Sequence, residues 1–367
     1  MEQWIKCTLG DILNFRRGHD LPKTSMQAGN IPVAGSNGVI GYHNECTPIS
    51  PCITIGRSGN VGTPYIYDTC WAHNTVLYID DYKGNDPKYL YYLLKTLPLS
   101  SFGGGSAVPT LNRNHIHPFE ILFCKDLSEQ KRIANLLSKI DDKIELNRQI
   151  NDNLEQQAQN IFNHYFIDNP IELGSYSEGV LTDIAVYLNG LAMQKFRPEG
   201  SDFGLPVLKI KELGQRSCDN NSDRCSSLIK EEYIVNDGDV IFSWSGTLLV
   251  DLWCGGKCGL NQHLFKVTSD TYPKWFYYFW TKHHLDNFIR VAKDKAVTMG
   301  HIKRTELEKA NIIVPTQDKL SEINRIMSPI ITEIINHRVE MRKLAQLRDS
   351  LLPQLMSGEL KINEIDC

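Results

Sequence analysis

A chain of 367 residues, 41% hydrophobic and 22% charged, has the make-up of a water-soluble globular protein with two or three cores. No run of 18 apolar residues occurs, and the opening MEQWIKCTLGD lacks a basic stretch followed by an apolar one, so neither a transmembrane helix nor a secretory signal is expected and the cytosol is the default. The net charge of −4 excludes a strongly basic nucleic-acid binder.

The charge balance is also regional. Residues 1–125 carry 10 basic and 9 acidic side chains and residues 169–316 carry 17 and 18, so phosphate neutralisation would need local patches or partner subunits. Ten cysteines are scattered without a C-x-x-C pair. Cys218, Cys225, Cys254 and Cys258 could be arranged around zinc, but their loose spacing favours buried apolar side chains, and no metal is expected.

In chain order, the first half opens with Leu9-Gly10-Asp11-Ile12, followed by Phe15 and Gly18. Strands are predicted over 53–55 and 75–79, and a helix opens at Pro87. The loop Arg57-Ser58-Gly59-Asn60 follows the first of these strands. Gly103-Gly104-Gly105-Ser106 leads to a second polar loop with Thr110, Asn112 and Arg113.

A long helix then spans the 126–168 region. Ile133, Leu137, Ile140, Ile144, Asn147, Asn151, Leu154, Ala158, Ile161 and Tyr165 alternate spacings of four and three, which predicts a heptad seam. At 1.5 Å per residue such a helix reaches ~50 Å and needs a long partner.

The second half repeats the first. Leu181-Thr182-Asp183-Ile184, Tyr187 and Gly190 match the opening motif, and Leu205-Pro206-Val207 matches Ile31-Pro32-Val33. Strands are predicted over 239–243 and 264–267, and a helix opens at Pro273. Ser243-Trp244-Ser245-Gly246-Thr247 is the counterpart of the Arg57 loop. The most basic stretch of the chain follows, with Arg290, Lys293, Lys295, Thr298, His301, Lys303 and Arg304.

A second seam closes the chain at a constant offset of 190 from the first. It runs through Ile323, Met327, Ile330, Ile334, His337, Met341, Leu344, Arg348, Leu351 and Leu355. Each helix could pack on its own half. The equal periods favour two helices packed antiparallel on each other, with polar members fixing register. The expected fold is two α/β (α+β) domains, 1–125 and 169–316, and two helical segments, 126–168 and 317–367. They form a coiled coil with a pseudo-twofold internal repeat.

This layout resembles the specificity subunits of Type I restriction–modification systems. Residues 143–166 (KIELNRQINDNLEQQAQNIFNHYF) resemble the central shared region of that family, and 347–360 (LRDSLLPQLMSGEL) its distal one. Asp126-Leu-Ser-Glu129-Gln130-Lys-Arg-Ile133-Ala134 resembles the opening of its central helix. The second copy departs from the first with Lys319-Leu320 in place of Glu129-Gln130. The resemblance implies a non-catalytic, cytoplasmic chain that binds double-stranded DNA, each half reading one part of a split asymmetric site. It also implies that the helices set the spacing and dock two methyltransferase subunits and a motor-nuclease subunit, with no cofactor.

Motifs for chemistry are missing. There is no Pro-Pro for an adenine methyltransferase loop, no Walker phosphate loop and no H-E-x-x-H. The alternatives are a stand-alone DNA-modifying enzyme with an unrecognised active site, or a scaffold that binds no DNA.

Base reading needs two-pronged side chains, Arg or Lys to guanine and Asn or Gln to adenine, while phosphates accept from cations, hydroxyls and backbone N–H. On that basis the DNA-contact candidates in the first half are Arg57, Ser58, Asn60, Ser106, Thr110, Asn112 and Arg113. In the second half they are Lys209, Lys211, Ser243, Trp244, Ser245, Lys295, Thr298, Lys303 and Arg304. Arg16-Arg17 are further candidates. The same loops could be plain turns, and Trp244 could be buried. His73-Asn74 and Asn261-Gln262-His263 read first as structural turns, with adenine reading by the amides as the second option.

Overall fold

Aromatic and β-branched runs form short strands in two units that share one plan. The computed structural model describes residues 3–103, 110–294 and 301–362. One unit contains Met1–Asp142 with Leu344–Cys367, and the other Lys143–Lys343.

In the first unit, Trp4–Thr8 pairs antiparallel with Glu120–Cys124. The Asp11 carboxylate accepts from the N–H (2.8 Å) and hydroxyl (2.7 Å) of Thr8, which caps the short helix Leu9–Ile12. An antiparallel sheet follows in the order Asn14–Arg17, Val76–Asp81, Cys52–Gly56, Pro64–Tyr67. A smaller sheet has Ile31–Gly35 between Gly38–His43 and Trp71–Ala72, the last pairing parallel. Helix Pro87–Thr96 starts at an Asp86 cap that accepts from Tyr89 N–H at 2.9 Å. It buries Tyr89, Leu90, Leu93 and Leu94 in a core with Phe15, Ile53, Ile55 and Ile79.

The second unit repeats this order. Tyr176–Val180 pairs with Asn311–Pro315, and Asp183 accepts from the Val180 N–H at 2.8 Å. The four-stranded sheet runs Val186–Asn189, Leu264–Thr268, Val240–Ser243, Leu249–Leu252. In the smaller sheet Leu205–Leu208 pairs parallel with Cys258–Leu260. Helix Lys274–His283 buries Trp275, Phe276, Phe279 and Trp280.

Gly18 and Gly190 show why the repeat retains glycine. A Cβ at Gly18 would lie 2.0 Å from the His73 carbonyl oxygen, and one at Gly190 2.3 Å from that of Asn261. Only a hydrogen fits where these backbones meet.

The long helices are Leu127–Asn163 and Gln317–Ser357. They run antiparallel, and each of the two packing expectations holds in part. In the first unit Ile133, Ala134 and Leu137 are buried in the same core as Leu352, Leu355 and Met356, with Leu351 at its edge. Ile140 is buried as well. In the second unit Ala158 and Phe162 join Ile323, Met327, Ile331 and Ile334, flanked by Leu154, Ile161 and Ile330. The helix ends are therefore core elements of the units.

Between those ends the helix–helix contacts are polar. In the first unit Arg348 pairs with Asp141 at 2.7 Å. In the second, Asn147 donates to Glu340 (2.7 Å), Asn151 to the Ile334 carbonyl (3.2 Å), and Arg338 pairs with Glu155 (2.7 Å). Ile144 and Leu344 are only half-buried. The polar members of the sequence reading, Asn147, Asn151 and Arg348, thus find partners at the middle of the pair, where charge and amide groups are matched. Gln130 explains one departure between the copies. Buried, it accepts from Asp86 N–H (2.9 Å) and donates to Asn85 and the Cys124 carbonyl, whereas Leu320 is simply buried in its core.

Among the described residues no helix is long and apolar enough to cross a membrane, and no group of three or more His, Cys, Asp and Glu could hold a metal ion.

Candidate nucleic-acid interface

In the first unit the edge strand Asn14–Arg17 carries Arg16 opposite Tyr78 and Arg17 opposite Leu77. The loop after Cys52–Gly56 is pinned by backbone bonds. Arg57 N–H donates to the Thr75 carbonyl (2.8 Å), and Leu111 N–H donates to the Arg57 carbonyl (2.7 Å). Ser58 bridges Thr110. Asn112 caps the turn Arg113–Ile116, accepting from Asn114 N–H at 3.0 Å.

These three segments enclose a cleft of about 400 Å³ lined by Arg16, Arg17, Arg57, Thr110, Asn112 and Arg113, with Leu77 and Leu111 buried beneath. Arg57 reaches the Asn74 carbonyl (3.5 Å) and Arg113 donates to the Phe15 carbonyl (3.2 Å). Among the described residues the only carboxylate within 4 Å of any of the four guanidinium groups is Asp20, 3.9 Å from Arg17 and well exposed. Partial burial, then repulsion from Arg17, pushes the Arg57 pKa down. Four largely unneutralised cations over an apolar floor make an anion site, and their planar forks suit phosphate or the guanine edge.

The second unit places different chemistry on the same scaffold. Gly190 N–H donates to Leu264 O as Gly18 N–H does to Val76 O, and Ile302 N–H donates to Trp244 O as Leu111 does to Arg57. Ser245 bridges His301 as Ser58 bridges Thr110. By these bonds Arg17 corresponds to Asn189, Arg57 to Trp244, Leu77 to Phe265, Asn112 to Lys303 and Arg113 to Arg304. Trp244 is half-buried. Its indole N–H donates to Asn189 at 3.0 Å, and its ring lies 5.8 Å from Phe265 and 6.3 Å from His301. Aromatic side chains occupy here the positions of Arg57 and Leu77, while Lys303 and Arg304 stand at those of Asn112 and Arg113.

A concavity of the second unit lies instead beside the small sheet. It is also about 400 Å³, floored by Met193, Val207 and Ile210, with Gln194, Gln262 and His263 among its polar lining. Its lysines are already matched, Lys209 to Asp223 (2.5 Å) and Lys211 to Asp219 (3.7 Å).

A family model described as the Type I restriction modification DNA specificity domain matches residues 1–156 and 178–341. The chain belongs to this family. It is similar to the Type I restriction enzyme MjaIX specificity subunit of Methanocaldococcus jannaschii, 28% identical over 306 residues, covering 76% of this chain and 70% of that one. It is also similar to the HindI specificity subunit of Haemophilus influenzae, 20% identical over 312 residues, covering 64% and 68%. The crystal structure of a Type I restriction–modification S subunit from M. genitalium shares the fold, with a TM-score of 0.67, 15% identity and 96% of each chain covered.

Within this family member the sequence candidates fall into distinct groups. Arg57, Ser58, Thr110, Asn112 and Arg113 come together, and Arg16 and Arg17 join them because they sit on the neighbouring strand; their adjacency in sequence was the available signal. Asn60 is exposed and accepts from the Thr63 hydroxyl. Ser243 is fully buried, donating to the Ser245 and Thr247 carbonyls, and Ser245 is held by His263. Lys303 and Arg304 are exposed at a helix start. Ser106, Lys295 and Thr298 lie outside the described residues.

Proposed function

We propose that this chain is the DNA-recognition component of a Type I restriction–modification complex and catalyses no reaction itself. It acts in the cytosol on double-stranded DNA. Residues 1–125 and 169–316 each read one part of a split, asymmetric target, and the helical spacers 126–168 and 317–367 set the interval and dock two methyltransferase subunits and a motor-nuclease subunit. The observation that carries the reading is the four-arginine cleft, an anion-binding surface on a chain whose overall charge is negative. Its counterpart in the second unit has different side chains on an equivalent backbone, which supports two unlike half-sites. Rigid helices suit readers that must meet DNA at one helical phase, about 34–36 Å per turn.

The test is co-expression with the neighbouring methyltransferase subunit, followed by genome-wide mapping of modified adenines. A split asymmetric motif that requires this chain is expected. A continuous or palindromic motif, or modification independent of the chain, refutes the reading.

A further inference from the structure

The concavity of the second unit combines cations with side-chain amides over an apolar floor. Two of its cations, Lys209 and Lys211, are ion-paired, and Arg224 donates to the Phe203 (2.9 Å) and Gly204 (2.7 Å) carbonyls. Arg197 faces the Asp223 carboxylate and helps hold its pKa down, after Lys209. Besides the cations the lining carries the amides of Gln194, Asn261 and Gln262, of which that of Gln262 is hydrogen-bonded to His263.

That amide is oriented. Ser245, buried on the anchored loop, contacts His263 Nδ1 at 3.0 Å, and Gln262 Nε2 lies 3.3 Å from His263 Nε2. With the proton on Nδ1 donated to Ser245, the Nε2 lone pair accepts one N–H of the Gln262 amide. The Gln262 backbone is fixed as well, its N–H donating to the Leu191 carbonyl at 2.9 Å. The other amide N–H and the carbonyl oxygen have no protein partner among the described residues. Together they present one donor beside one acceptor, the complement of N7 and N6–H₂ on the major-groove edge of adenine. Met193, Val207 and Ile210 supply the apolar surface that a thymine methyl group prefers.

In the first unit the equivalent loop is His73-Asn74-Thr75. There the Asn74 amide donates to Asp20, and its carbonyl oxygen on the backbone faces Arg57. Each amide uses one N–H in this way, on His263 in the second unit and on Asp20 in the first.

The geometry points to Gln262 as a specificity-determining residue that reads the adenine of an A·T pair in the half-site of the second unit, held in place by Ser245 and His263. This rests on the DNA-reading role proposed above.

The experiment uses the full chain in complex with its methyltransferase subunit and compares the modified motif of the wild type with those of Gln262→Ala and Gln262→Glu. Gln262→Ala is expected to relax one A·T position, lowering discrimination there roughly ten- to hundredfold, and to leave the other positions intact. Gln262→Glu is expected to shift that position toward cytosine, whose N4 donates to a carboxylate. A second arm needs no variant. Duplexes with 7-deazaadenine at each adenine in turn lack N7, and wild-type affinity should fall at one position alone. A defined wild-type motif that is insensitive to both variants and to every 7-deaza substitution overturns the assignment and spares the DNA-reading role. A wild-type complex with no sequence-dependent modification overturns both.

Discussion

Replacing Arg16, Arg17, Arg57 and Arg113 together with Gln removes four positive charges from one cleft while leaving amide donors in place. The Arg113 bond to the Phe15 carbonyl and the Arg57 contact to the Asn74 carbonyl are to backbone oxygens that an amide can also reach, and the Arg17 pair with Asp20 is long and exposed. Each cation that neutralises a phosphate contributes ~0.9 to the slope of log affinity against log salt, so four contribute ~3.6. Between 50 and 200 mM salt the wild type should then lose roughly 150-fold more affinity than the variant. Anisotropy titrations of a labelled target duplex with the methyltransferase-bound complex, repeated across that salt range, measure the slope. Lys209→Gln with Lys211→Gln is the companion variant. Because Asp223 and Asp219 already neutralise those lysines, it should change the slope by less than ~1. Equal slopes for wild type and the four-arginine variant, with an unchanged melting profile, would refute the role assigned to the cleft.

Arg338→Met should lower the stability of the second unit by about 3 kcal/mol, because it leaves buried Asp251 with Arg216 alone and Glu155 without its partner. Calorimetry should show the transition of that unit fall by roughly 6–12 °C. Gly18→Ala and Gly190→Ala, which drive a methyl group into a carbonyl oxygen, should each cost at least about 2 kcal/mol in urea unfolding, and a near-neutral result would contradict the backbone contacts described. Burial would raise the Asp237 carboxyl, but hydrogen bonds from Arg342 (2.7 and 2.9 Å) and from Gly256 N–H (2.9 Å) hold it below the usual range. Its stabilisation is therefore complete above the unfolded value of about 3.9 and is lost as pH falls through the lower folded value. Between pH 5 and 2 the melting temperature of Asp237→Asn should fall less steeply than that of the wild type.

The duplication, the main strands and the two long helices were legible because they depend on local periodicity and on motifs short enough to recur. Gly18 and Gly190 recur for a steric reason that the alignment of the halves exposes directly. The pairing of Trp4–Thr8 with Glu120–Cys124 was not legible, since nothing local in either strand names a partner more than a hundred residues away. The heptad reading held where Ile133, Leu137, Ile323 and Met327 enter cores, while the partners of its polar members Asn147, Asn151 and Arg348, and the place of Arg338, depend on the three-dimensional pairing. The candidate site divided in the same way. Arg57 and Arg113 could be picked out by residue type, but the ion pairs of Lys209 and Lys211 and the aromatic packing of Trp244 depend on residues distant in sequence.

The first unit is built from both ends of the chain: Leu352, Leu355 and Met356 complete the core that begins with Leu9 and Phe15. During synthesis, an interval of residues 143–343 separates its two parts, on the order of ten to forty seconds at about 5–20 residues per second. The portion translated first must therefore wait, with an open apolar face, for the portion translated last, while the second unit is already whole. A ribosome that stops before residue 344 leaves the second unit with all its segments and the first without Leu352, Leu355 and Met356.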